Sequence, residues 1–64
     1  MTIDYKNLKR GTTFTDEYGN EWWIIEREEW KMDEGIEIWY TIRNFRLDEK
    51  NVSPTALQRD FKIQ

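Results

Sequence analysis

"GNEWWIIEREEW", residues 19–30, sets two tryptophans side by side, follows them with two isoleucines and ends on a third tryptophan among charges. In an extended chain, neighbouring side chains point to opposite faces. Trp22 and Ile24 therefore share one face, and Trp23 and Ile25 share the other. The stretch reads as a strand that is apolar on both faces at its start and charged towards its end. Further on, "IEIWYTIRNF", residues 36–45, places Ile36, Ile38, Tyr40 and Ile42 at period two. Helical spacing does not fit those four, so they predict a strand with one core face. Trp39, Thr41, Arg43 and Phe45 take the other face. "KMDEG", residues 31–35, connects the two strands as a hairpin turn, with Gly35 free to take positive φ. The hairpin brings residue 43 near residue 23.

The same reasoning extends outward. "DEYGN", residues 16–20, is a second turn, and "TTFT" before it is a short strand. "RLDEKN", residues 46–51, reads as a polar loop. "VSPTALQRDF", residues 52–61, carries a helix start, with Ser53 as N-cap and Pro54 at the first helical position. Ala56, Leu57 and Phe61 are placed to pack that short helix onto the sheet. No linker, repeat or low-complexity segment divides the chain, so residues 1–64 are expected to form one domain.

A 64-residue chain has a thin core, since a domain of that size buries only about 60% of the surface its unfolded form exposes. The sequence holds no Cys and no His, which excludes disulfides, thiol chemistry and the usual zinc sites. Aromatic bulk takes their place, with four Trp, three Tyr and three Phe. Self-association is another way for so small a domain to gain buried area. No apolar run approaches the roughly 20 residues that span a membrane. The first residues, "MTIDYKNLKRG", hold no apolar signal region. A cytoplasmic protein without a membrane role is the expectation, and the glycosylation-type triplet Asn51-Val52-Ser53 reads as chance.

Charge is unevenly spread. Residues 16–37 hold nine acids against two bases, giving −7, while the remaining eight bases and four acids give +4, for a net −3. Such a dipolar pattern can form two faces. Catalysis has little to work with. A carboxylate pair needs burial to separate its pKa values, and no acid sits in an apolar stretch. "MDEG" lacks the alternating acids of a calcium loop, and the three glycines are isolated, so no phosphate cradle is present. The chain is expected to be no enzyme and to hold neither metal nor cofactor.

Four short stretches carry a resemblance. "LKRGTTF", residues 8–14, followed by "GNEWWII", residues 19–25, resembles the middle of a Src-homology-3 (SH3) domain, where a basic pair precedes a strand-opening Gly and a turn leads to a Trp-Trp strand. "VSPTAL" resembles the short 3₁₀ segment near such a domain's C-terminus, and "IDY", residues 3–5, resembles its first strand. The resemblance implies a mostly β, five-stranded, SH3-like antiparallel barrel with a short C-terminal helix or 3₁₀ turn. Its strands would lie at residues 3–5, 12–15, 21–30, 36–45 and 60–63. The sequence departs from the family where Thr55-Ala56 replaces an Asn-Tyr pair, where residues 6–10 replace a long acidic loop, and in a longer connection at residues 46–51. Only Trp22 and Pro54, with Tyr5 as a third, match groove positions. The chain is more similar to divergent bacterial and phage SH3-like barrels, many of which bind proteins and some nucleic acid.

The resemblance implies Trp23 and Ile25 in the core and Trp22 near the surface. By pattern alone, one register pairs Trp23 and Ile25 with Ile42 and Tyr40, and a one-residue slip puts Ile24 opposite Ile42. If both faces are covered, every tryptophan is structural. Trp30, before the turn, is expected to cap the barrel end. The leading functional expectation is a protein-binding module or adaptor, phage-encoded or acting on a host. Its contacts would be Trp22, Trp39 and Tyr18, with Glu26, Glu28, Asp33 and Glu34 as an acidic rim. A second expectation is nucleic-acid binding through exposed aromatics and a basic end formed by Lys9, Arg10, Arg43, Arg46 and Lys50. A third is an acidic inhibitor that occupies a cationic groove.

Overall fold

The computed structural model describes residues 3–63. Its elements are β1 (Thr13–Asp16), β2 (Glu21–Met32), β3 (Gly35–Asn44), β4 (Glu49–Val52), α1 (Pro54–Asp60) and β5 (Phe61–Ile63). The strands form one antiparallel sheet in the order β4-β3-β2-β1-β5. The mostly β architecture and the short C-terminal helix match the sequence expectation. The sheet is not closed into a barrel. β4 and β5 are its edges, and no ladder joins them among the described residues. Both edges are short, and the chain between them forms α1. That helix touches both β3 and β5. Two strands separate β3 from β5 in the sheet, so the sheet curls around the helix.

The two turns follow the local chemistry. Asp16 Oδ1 accepts the backbone N–H groups of Tyr18 (2.9 Å) and Asn20 (2.8 Å), and Gly19 takes φ 82°. The β2–β3 hairpin turns on Asp33-Glu34, with Gly35 at φ 139°. In α1, Ser53 Oγ accepts the Ala56 N–H at 3.2 Å, as an N-cap should. Leu57 is fully buried, and Ala56 and Phe61 pack against the core from its flank.

Register settles the tryptophan question. Ile24 pairs with Ile42, and Trp22 pairs with Asn44 and Phe14. The buried cluster is Phe14, Trp22, Ile24, Ile38, Tyr40, Ile42, Val52 and Leu57. Trp22 is therefore inward and only half-buried Trp23 faces out, the reverse of what the SH3 resemblance implies. A β-bulge at Ile25 then changes the phase. Beyond it Glu26 pairs with Thr41 and Arg27 with Tyr40, so Arg27 lies on the core side and Glu26 on the outer side.

Four further expectations are corrected. Residues 3–5 form no strand, because β1 takes β5 on one side and β2 on the other. That segment instead turns on Asp4, whose carboxylate accepts the Asn7 side-chain amide at 2.6 Å. Residues 49–51 are not loop but most of β4, which pairs with β3 from Tyr40 to Arg43. Ile36 lies on the core-side face but is 62% exposed. Beyond Ile38 the hairpin outruns β1 and β4, so nothing is left to cover it. Trp30 lies on that same projecting arm and is 54% exposed rather than capping an end.

One buried hydroxyl ties the N-terminal segment down. Tyr40 OH donates to the Tyr5 carbonyl at 2.6 Å and accepts the Leu8 N–H at 3.1 Å. Arg27 supports it from β2, donating through Nε and Nη2 to the Lys6 carbonyl at 3.1 and 2.6 Å. Tyr40→Phe leaves two backbone groups without partners, so it should cost roughly 1–3 kcal/mol. Urea denaturation measures this, and an unchanged midpoint would show that water replaces the hydroxyl at no loss.

Candidate functional site

Strand alternation gives the outer face of the hairpin its own chemistry. Cross-strand partners share a face, so Glu26/Thr41, Glu28/Trp39 and Trp30/Glu37 stack in rows along that side. Trp39 and Trp30 stand diagonal to each other, within reach for large side chains. With Glu28, Thr41 and Asn51 they line an open groove. The Trp30 indole N–H donates to Glu28 Oε2 at 3.1 Å, and the Thr41 hydroxyl donates to Asn51 Oδ1 at 2.9 Å. These bonds fix the groove's polar atoms while leaving the Trp30 ring open to solvent.

The bulge at Ile25 sets the electrostatics of this face. It sends Arg27, Glu29 and Lys31 to the core-side face and leaves Glu26 and Glu28 on the groove side, where Glu37 of β3 joins them. The ion pairs among the described residues are Arg27–Glu29 (2.7 Å), Arg43–Glu49 (2.7 Å) and Arg59–Asp60 (3.1 Å). Arg43–Glu49 lies on the same outer face, and none of the three pairs engages Glu26, Glu28 or Glu37. Asp33 and Glu34, both exposed, add negative charge at the turn.

The other expected contacts are scattered. Trp22 is 3% exposed and is no surface anchor. Its indole N–H donates to Asp16 Oδ2 at 3.0 Å, its ring meets Phe61 edge-on, and the Lys50 ammonium sits 5.0 Å from its centroid. Burial pushes the Asp16 carboxyl up, but hydrogen bonds from Trp22, Asn20 and Tyr18 outweigh it and hold the group below its ordinary value. Tyr18 is 80% exposed at the β1–β2 turn. It lines a separate recess with Phe45, Arg46 and Lys50, distant in register from Trp39.

The five bases do not make one patch. Arg10 and Arg43 flank Trp23 in one recess, and Arg46 and Lys50 line the Tyr18 recess. Lys9 is exposed and lines neither. Arg43 is held by Glu49 through Nε and Nη2. Trp23 packs edge-to-face on Phe45, with ring centroids 5.0 Å apart.

Sequence reasoning missed Trp30 as a groove wall, along with Asn51. The signal for Trp30 was present, because Trp30 and Trp39 bracket a hairpin whose length places them diagonally. Asn51 carried no signal without knowledge of β4. Among the described residues no cluster of three or more acids could hold a metal ion. Nor, among the described residues, is any helix long and apolar enough to cross a membrane. No protein-family model matches the chain, and neither a curated protein nor a solved structure matches it significantly.

Proposed function

We propose that this chain is a non-catalytic protein-binding module whose contact surface is the outer face of the β2–β3 hairpin. What carries this reading is the pair of indoles in one groove, Trp39 as its wall and Trp30 as a residue 54% exposed. Tryptophan is enriched among the residues that dominate protein interfaces. The proposal keeps an SH3-like kinship but moves binding off the groove that kinship implies, since Trp22 is buried. Residue chemistry supports a non-catalytic role. There is no His or Cys, and the carboxyls with displaced pKa values are Asp4, Asp16 and Asp60, all lowered rather than raised. A general acid at neutral pH needs the opposite shift. The lack of cysteine fits a reducing compartment such as the cytoplasm.

The test is affinity capture from a bacterial lysate, with and without nuclease, using the parent and the variants Trp39→Ala and Trp30→Ala. We expect a protein to be retained through nuclease treatment. Its affinity should fall about 30-fold or more with Trp39→Ala, equivalent to roughly 2 kcal/mol for an interface anchor. Trp30→Ala should weaken binding with little effect on melting, because its ring is already half in water. Capture lost on nuclease treatment would transfer the function to nucleic acid, with Arg10 and Arg43 beside Trp23 as the first contacts to examine. Capture indifferent to both substitutions would refute this surface.

A further inference from the structure

We infer that the hairpin groove receives a cationic side chain, lysine or arginine, carried on an extended segment of the partner. This rests on the groove being the contact surface, and it adds the chemistry of what enters.

Charge complementarity is the first argument. The groove side carries Glu26, Glu28 and Glu37; of the hairpin's three bases, Arg27 and Lys31 lie on the opposite face, and Arg43, on the groove-side face, is already held by Glu49. Arg27 is further engaged there by the Lys6 carbonyl and Glu29. Glu28 takes one hydrogen bond, from the Trp30 indole. A carboxylate has room for several donors, and no cation of the described chain forms an ion pair with Glu28. An indole face beside a carboxylate attracts a cation twice, through the ring quadrupole and through direct charge. An anionic or purely apolar occupant would leave Glu28 without compensation.

The open strand edge is the second argument. β4 pairs with β3 only from Tyr40 to Arg43. At Ser53 the chain leaves for α1, so among the described residues no strand pairs with β3 from Gly35 to Trp39 on that side. A strand edge is a template for an added extended segment, with side-chain pockets giving specificity. A segment lying there would run past Trp39 and present alternate side chains to the groove. The site is on the opposite side of the sheet from Trp22, so it is distinct from the groove that the SH3 resemblance implies.

The experiment uses three short synthetic peptides of equal length, alternating Thr with Arg, Gln or Glu. Each is titrated into the isotope-labelled protein while the indole N–H resonances of Trp30 and Trp39 are followed. The Arg peptide should shift both, and raised salt should weaken it. Glu28→Gln should loosen it about tenfold, the effect of losing one charged hydrogen bond. The amide of that variant can still accept the Trp30 N–H, so folding should hold; Glu26→Gln is the second variant if it does not. Equal shifts with the Gln peptide would overturn the cationic inference yet leave the groove as a contact surface. Preference for the Glu peptide, or no indole shift with the Arg peptide, would overturn the inference outright. Indole shifts that follow protein concentration without peptide would assign the groove to a second copy and likewise overturn it. Failure of the contact surface itself would appear separately, as lysate capture indifferent to Trp39→Ala.

Discussion

Trp22→Ala should destabilise the protein by roughly 3–5 kcal/mol, the range for removing a large buried aromatic. A domain of this length has only about 3–10 kcal/mol to lose, so the variant should be largely unfolded at physiological temperature. Three contacts besides burial add to the loss. The indole N–H holds Asp16, whose other oxygen organises the β1–β2 turn. The ring supports Phe61, and Lys50 lies over it. Trp23→Ala is the control, because that residue is on the outer face and only half-buried. It removes the Phe45 contact and should cost markedly less. Side-by-side guanidinium unfolding gives the ranking. If Trp22→Ala unfolds no earlier than Trp23→Ala, the register that pairs Ile24 with Ile42 is wrong.

That ranking turns on the feature least legible in the sequence. Periodicity marked both long strands, and residue type marked both turns and the N-cap at Ser53, because each is local chemistry. Periodicity also left two registers open, and the SH3 resemblance leaned to the wrong one. The bulge at Ile25 is the reason the pattern could not decide. It inserts one residue, so the inward positions change from even numbers before it to odd numbers after it. No Gly or Pro marks the place. β4 was hidden for a related reason. Its turn takes positive φ at Leu47 (67°) without a glycine. The strain is held by Asn44, whose side-chain oxygen accepts the Arg46 and Asp48 N–H groups. A charged four-residue strand after such a turn looks like loop. The groove inherits both gaps, since the bulge puts Glu26 and Glu28 on one side and β4 supplies Asn51. Trp39, Glu26 and Glu28 were readable as candidates, but their company was not.

Phe14→Ala is expected to be equally severe, roughly 3–5 kcal/mol, and its consequences should spread in a defined direction. Phe14 is completely buried at the middle of a four-residue strand. It pairs with Trp22 on one side and with Ile63 on the other, and its ring meets Phe61 edge-on with centroids 5.4 Å apart. Every strand contact of β5 is made to β1, and that strand is only three residues long. A short edge strand has little pairing of its own and depends on the apolar residues beneath it. Removing the Phe14 ring therefore strips β5 of its main anchor and loosens the end of α1 that leads into it. The hairpin is joined to Phe14 in the ladder through Trp22 and keeps its own pairing between β2 and β3. Where enough folded protein remains, amide exchange should accelerate first at residues 61–63 and last in the Ile24/Ile42 rows. Phe14→Leu keeps most of the apolar volume and should restore much of both stability and protection. Uniform acceleration across the sheet would mean that β5 and the hairpin open as one unit, and that Phe14 serves the whole core rather than this edge.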